Sequence, residues 1–296
     1  MSRAFRTALV SISLVIAAAV AAGCGDVNIA LARLSEARQL SADLLVQFTR
    51  ATDASNRAVM ADTDEASVAS AHEAVEAKAA VQQDMDALGP MLHDLGYAEE
   101  SRLLREFVGR FAEYDTLDRR ILALAVENTN LKAQRLSYGS AADAADAFRD
   151  ALEAVTTANL ADEAWHVRAL VAGAVSAVRD IQALEAPHIA EPDDAVMTRI
   201  ERRMAASEAA ARKAVASLTA IVPSASRPRL VVATAALDRF MGVHTKIMAL
   251  SRRNTNVRSL ALSLSEKPAR VSACADLLRA LNDALAKRGY GVARWK

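Results

Sequence analysis

From Tyr114 onwards the apolar positions fall at alternating three- and four-residue steps: Tyr114, Leu117, Ile121, Leu124, then Asn128, Leu131 and Arg135. That spacing is the stripe of an amphipathic helix. The same series returns 126 residues later as Phe240, Val243, Ile247, Leu250, Asn254, Val257 and Ala261. Asn128-Thr129-Asn130 falls on Asn254-Thr255-Asn256, and Leu136, Ser137 and Leu152 fall on Leu262, Ser263 and Leu278. A weaker echo at a shift of 130 sets Asp64 on Asp194, Met85 on Val215 and Leu88 on Leu218. A repeat on this scale predicts two copies of one helical unit.

Punctuation divides the chain further. The prolines sit in four short segments: Gly89-Pro90, Pro187 to Pro192, Pro223 to Pro228, and Pro268. Further breaks are expected at Ala61 to Asp64 and at Tyr138-Gly139-Ser140, with Ser140 capping the next helix and Asp143 at its third position. The predicted helices are Asp26 to Met60, Glu65 to Leu88, Ala98 to Ser137, Ala141 to Ala186, Asp194 to Val222, Arg229 to Leu264 and Ala269 to Arg288. At 1.5 Å per residue, Ala141 to Ala186 would run about 70 Å, more than one bundle length. A break near Thr156 to Asp162 is therefore predicted, giving eight helices. The expected fold is all-α: two tandem antiparallel four-helix bundles, residues 26–157 and 158–296, after an N-terminal segment 1–25.

That N-terminal segment reads as an export signal. Arg3 and Arg6 precede an uncharged stretch from Thr7 to Gly25 with an apolar centre. Ala21-Ala22-Gly23-Cys24 resembles a bacterial lipoprotein processing box with Cys24 acylated, although Ala21 stands where Leu is usual. An uncleaved membrane helix and ordinary cleavage after the small residues are the alternatives. The protein is expected outside the cytoplasm, tethered to a membrane by this segment.

Composition supports the helical reading, with 52% hydrophobic residues dominated by Ala, Leu and Val, and only 4% aromatics. Lys plus Arg and Asp plus Glu are 36 each, so no broad electrostatic footprint for nucleic acid is expected. The other cysteine, Cys274, has no activating neighbour in sequence and is expected in the core.

Catalytic and metal signatures are sparse. No two of His72, His93, His166, His188 and His244 stand three or four residues apart. Glu163-Ala164-Trp165-His166 matches one Glu-x-x-His, where di-iron bundles need it on two helices. Asp143, Asp146 and Asp150 beside Arg149 read as a solvated face. No enzyme activity, metal or cofactor is expected.

The duplicated Asn-Thr-Asn remains, because an amide on an apolar seam must find partners or cost about 1 to 3 kcal/mol. Two readings stand: Asn128 and Asn254 pair across the bundle and fix helix register, or they line a polar pocket with Asn130, Asn256, Arg253 and Arg258 as candidate ligand-binding residues.

The N-terminal membrane signal, the long third helix and short fourth, and the seam leading into each Asn-Thr-Asn resemble the periplasmic four-helix-bundle sensor domain of methyl-accepting chemotaxis receptors, about residues 26–157 and again 160–288. The resemblance implies binding of a small molecule or protein partner, with output by helix displacement. The second membrane span and cytoplasmic signalling helices of those receptors have no counterpart here, so direct transmembrane signalling by this chain is not expected. The functional expectation is a non-catalytic, tethered sensor-like module; the alternative is a structural or adaptor lipoprotein presenting helix faces to an envelope protein.

Overall fold

The computed structural model describes the backbone of residues 3–157 and 164–288, and the side chains of residue 29 and of residues 31–157 and 165–288. The expectations for the export segment and for Cys24 lie outside the described side chains, and most of the expected break at Thr156 to Asp162 lies outside the described residues.

The fold is all-α, with no strand among the described residues. In chain order the helices are α1 (Arg3–Met60), α2 (Asp64–Asp94), α3 (Ala98–Glu127), α4 (Thr129–Leu136), α5 (Ala142–Thr156), α6 (Ala164–Ala190), α7 (Asp194–Ile221), α8 (Arg227–Arg253), α9 (Thr255–Ser265) and α10 (Lys267–Lys287). Among the described residues no helix is long and apolar enough to cross a membrane.

Helix ends follow local chemistry, with three departures from the sequence expectation. Gly89-Pro90 does not end α2, which runs on to Asp94. An internal proline removes one donor and bends a helix, whereas reversal needs a residue free to adopt positive φ. Gly96 supplies it at φ 68°, with Tyr97 N–H donating to Leu92 O at 3.0 Å and Gly96 N–H to His93 O at 3.0 Å, a Schellman stop. Likewise α6 passes through Pro187. The break expected at Tyr138-Gly139-Ser140 is present as a kink, without a reversal of the chain. A π-helical turn, Ser137–Ala141, joins α4 to α5 around the unusual backbone of Gly139 (φ −99°, ψ −105°), and Ser140 caps nothing. In the third departure, the predicted long helices Ala98 to Ser137 and Arg229 to Leu264 both break at their Asn-Thr-Asn. Elsewhere the signals act as read: the Asp193 carboxylate accepts from Ala195 N–H and Val196 N–H and starts α7.

Packing divides the chain into two compact units, Met1–Arg57 with Ala69–Arg119 and Ser263–Lys296, and Ala58–Val68 with Arg120–Leu262. The expected boundary at 157/158 is not where packing divides the chain. Similarity between repeats records which segments look alike, not which ones bury each other. The fourth helix of each repeat is built into the unit formed by the other: α10 completes the first unit, and α5 belongs to the second.

The first unit buries Phe48 of α1, Leu88 and Leu92 of α2, Phe107 and Tyr114 of α3, and Cys274, Leu278 and Leu281 of α10. Phe48 meets Phe107 and Tyr114 edge-on, at 6.0 and 5.1 Å between ring centres. Cys274 is fully buried, and burial pushes its thiol up to about 12.

The second unit is a bundle in which α6 packs on α7 and α5 on α8, closed by α5 against α6 and α7 against α8. Its core includes Phe148 and Leu152 of α5, Val167 and Ile181 of α6, Leu218 of α7, and Phe240 and Ile247 of α8. The equivalent leucines Leu152 and Leu278 are both fully buried, each in a different unit's core.

Candidate functional site

Asn128 and Asn254 are the non-glycine residues at positive φ among those described, at 50° and 54°. Asn is among the few L-residues that enter this region readily, because its short amide replaces lost backbone contacts. Each ends one helix, α3 or α8, and begins the next, with its carbonyl accepting from Lys132 N–H or Arg258 N–H at 3.0 Å. Both stand at helix breaks, where the sequence placed them on uninterrupted stripes.

Beyond these two breaks the copies of the motif clasp each other reciprocally. Thr129 N–H donates to Thr255 Oγ1 at 3.2 Å, and Thr255 N–H to Thr129 Oγ1 at 3.1 Å. Asn130 N–H donates to Asn256 Oδ1 at 3.1 Å, and Asn256 N–H to Asn130 Oδ1 at 3.2 Å. The free N–H groups that open α4 are thus capped by side chains of α9, and the reverse. Asn130 Nδ2 also donates to Asn254 Oδ1 at 2.7 Å, and Asn256 Nδ2 to Asn128 Oδ1 at 2.9 Å.

The clasp is not fully symmetric. Asn254 Nδ2 donates to Glu191 O at 2.8 Å and Asn130 Nδ2 to Ile189 O at 2.5 Å, so the segment ending α6 wraps one arm. On the other arm Asn128 Nδ2 is buried without a partner. Arg253 and Glu127, at equivalent positions of the two repeats, form an ion pair at 2.7 Å, with Arg253 59% exposed. Arg258 is exposed, and its backbone N–H serves Asn254. Asn128, Asn254, Asn256 and Asn130 are therefore brought together, while the two arginines stand at the surface.

Of these six residues, Asn130 lines a cavity of about 230 Å³. Leu131, Ala186, Ile189, Ala190 and Val257 form its apolar wall, and Asn130, Gln134, Ser137 and Tyr138 supply the polar atoms. Tyr138 stands on the π-helical turn and is 68% exposed.

Sequence reasoning missed the buried ionisable groups behind this wall. Glu185 accepts from Ser137 Oγ at 2.5 Å and pairs with His244 Nδ1 at 2.9 Å. One turn on, His188 Nδ1 lies 2.7 Å from Ser251 Oγ, and His188 Nε2 lies 2.9 Å from Glu201 Oε1. With the proton on Nε2, the ring donates to Glu201 and accepts from Ser251. Burial lowers the pKa of His188, and Glu201 cannot fully counter this because Arg252 engages its two oxygens at 2.6 Å each. Glu201 is held below its ordinary value chiefly by Arg252.

Ser251, His188 and Glu201 have the connectivity of a hydrolytic triad, but not its accessibility. Ser251 is fully buried and its hydroxyl also lies 3.1 Å from His188 O, leaving no approach for a substrate carbonyl. The arrangement ties α6, α7 and α8 together.

The first unit carries its own buried network. Asp118 of α3 accepts from Ser55 Oγ of α1 at 2.5 Å and from Lys78 Nζ of α2 at 2.8 Å, and pairs with Lys267 Nζ of α10 at 3.3 Å. Lys267 also donates to Ser55 Oγ at 2.6 Å and Asn56 Oδ1 at 3.0 Å. One signal for it lay in the repeat: a shift of 126 carries Asp118 onto His244, and a shift of 130 carries Ser55 onto Glu185. Both copies keep a polar pair at that place, with different chemistry.

No family model and no curated protein matches the chain. Among solved structures, it is similar to the crystal structure of the TorS sensor domain–TorT complex in the presence of TMAO, at 14% identity over 87% of this chain and 99% of that chain, with a TM-score of 0.30. Likeness at that level says nothing about a ligand or partner for this chain.

Proposed function

We propose that the chain is a non-catalytic, sensor-like module, exported and tethered to a membrane through its N-terminal segment, that binds a small molecule in the second unit. The observation that carries this reading is the cavity of about 230 Å³ beside Asn130. Concave, mainly apolar sites with a few convergent polar groups are the usual form of small-molecule sites. Asn130 adds a route for response, because the same amide holds Ile189 O in the cavity wall and Asn254 Oδ1 in the clasp.

A thermal-shift screen of the protein against small alcohols, phenols, amines and organic acids tests the reading, because a ligand of the native state raises its stability by RT ln(1 + [L]/Kd). A shift lost in Ala186→Leu supports it, and silence across the library counts against it.

The adaptor reading draws on a different observation. Trp165 at the start of α6 and Val231 and Val232 near the start of α8 are 74, 68 and 60% exposed. Exposed apolar groups of this kind favour a protein partner.

A further inference from the structure

We propose that the Asn130 cavity selects a neutral molecule about the size of one substituted ring, mainly apolar and carrying one hydrogen-bond donor; this rests on the ligand-binding reading above. Size sets the first limit. An apolar cavity of about 150 Å³ accommodates benzene in another protein. At about 230 Å³ this one has room for a ring with a small substituent or a short branched chain.

Charge sets the second. None of the lining residues carries an ionisable group that is charged at neutral pH. The carboxylate nearest in the network, Glu185, already has Ser137 on one oxygen and His244 on the other. The site opens to solvent beside Gln134, Tyr138, Ala186 and Ala190, so a ligand charge seated at the inner wall would have no counter-charge and is disfavoured there.

The polarity of the ligand is set by which lining atoms are already used. Asn130 spends both amide hydrogens on Ile189 and Asn254, while its oxygen accepts from Asn256 N–H and keeps one acceptor site. Ser137 has given its only proton to Glu185, so its oxygen can still accept. A ligand hydroxyl directed at Ser137 Oγ is thereby matched at the wall, whereas a ligand that can only accept finds donors at the rim alone. Gln134 and Tyr138, both exposed, add an amide and a phenol at the rim.

The test is calorimetric titration of the protein with p-cresol, and with toluene, p-hydroxybenzoate and tyramine as apolar, anionic and cationic relatives. The expected result is saturable p-cresol binding at least tenfold tighter than the other three, abolished by Ala186→Leu. Ala186 is exposed, so this change fills the cavity without entering the core. Retained p-cresol binding in both Ala186→Leu and Ala190→Leu would overturn the site. Equal or tighter binding of a charged relative, lost in Ala186→Leu, overturns the ligand class while the binding reading stands. No binding by any of the four also overturns the class, and the binding reading falls with it only if the broader thermal-shift screen is silent.

Discussion

Thr129 and Thr255 stand 126 residues apart in the chain, and their hydroxyls meet at 3.2 Å. Each side-chain oxygen accepts the other residue's backbone N–H, so two helix starts cap each other. The pairing is between the same residue in two copies of a repeat, and it makes the energetics of the two positions inseparable.

Replacing either threonine by Val keeps the shape and removes one cap and one partner for the other. Each single change is expected to cost about 1 to 2 kcal/mol. The double variant should lose clearly less than the sum, with a coupling of about 0.5 kcal/mol or more. Urea unfolding of the four proteins measures this, and strict additivity would mean the two caps act independently.

The left-handed backbone separates two substitutions at Asn254. Leu there must carry a side chain at φ 54° and also leaves Glu191 O and Asn130 Nδ2 short of a partner, for a loss of about 2 kcal/mol or more. Gly relieves the backbone cost and should lose about 1 kcal/mol less than Leu. A Leu variant as stable as the parent would contradict the clasp.

Asp118→Asn keeps the shape of the buried network but leaves Lys267 without its carboxylate, while Lys78 keeps Asp115 at 3.0 Å. The expected loss is about 3 to 5 kcal/mol, since an uncompensated buried charge costs more than the pair contributes. Burial already lowers the pKa of Lys267 from its ordinary 10.5. The loss should therefore shrink as pH rises towards that value and the amine sheds its proton.

Acid should weaken the protein through His188. Its folded pKa lies below the ordinary 6.5, so the unfolded chain takes up the proton first. The stability it contributes is present above about pH 6.5 and is lost as pH falls through the folded value. Glu201, whose pKa is lowered from 4.5, adds a second loss further down. Melting temperatures between pH 7.5 and 5.5 should fall for the parent and fall less for His188→Asn.

The helical character, the duplication and most buried positions were legible because they depend on periodicity, and Tyr114, Ile121, Phe240 and Ile247 are buried as the stripe requires. Beyond Ile121 the stripe misleads, with Leu122 and Ala125 buried and Arg135 exposed and paired with Asp64. Before the break the drift comes from the helix itself, because 3.6 residues per turn carries a strict three-and-four stripe slowly round the surface, and beyond Asn128 the left-handed residue shifts every later position to another face. The exchanged fourth helices were not legible for a different reason: α5 and α10 have similar apolar faces, and a self-comparison cannot say which core receives each. The cavity depends on a π-helical turn around Gly139, for which the sequence gives only a generic break signal.

Exchanging the fourth helices also fixes the order in which the two cores can close. The first unit closes with Lys267 meeting Ser55 across 212 positions of chain. As the polypeptide emerges from its amino end, α1, α2 and α3 are delivered early, with Phe48, Leu92 and Phe107 waiting for the leucines of α10. All segments of the second unit are available by Leu262, before that last helix arrives. Contacts so distant along the chain form slowly, and the unclosed apolar surface is a hazard while it lasts. The final helix therefore acts as a latch, and the rate at which the carboxyl end is delivered sets how long a half-built core stands open.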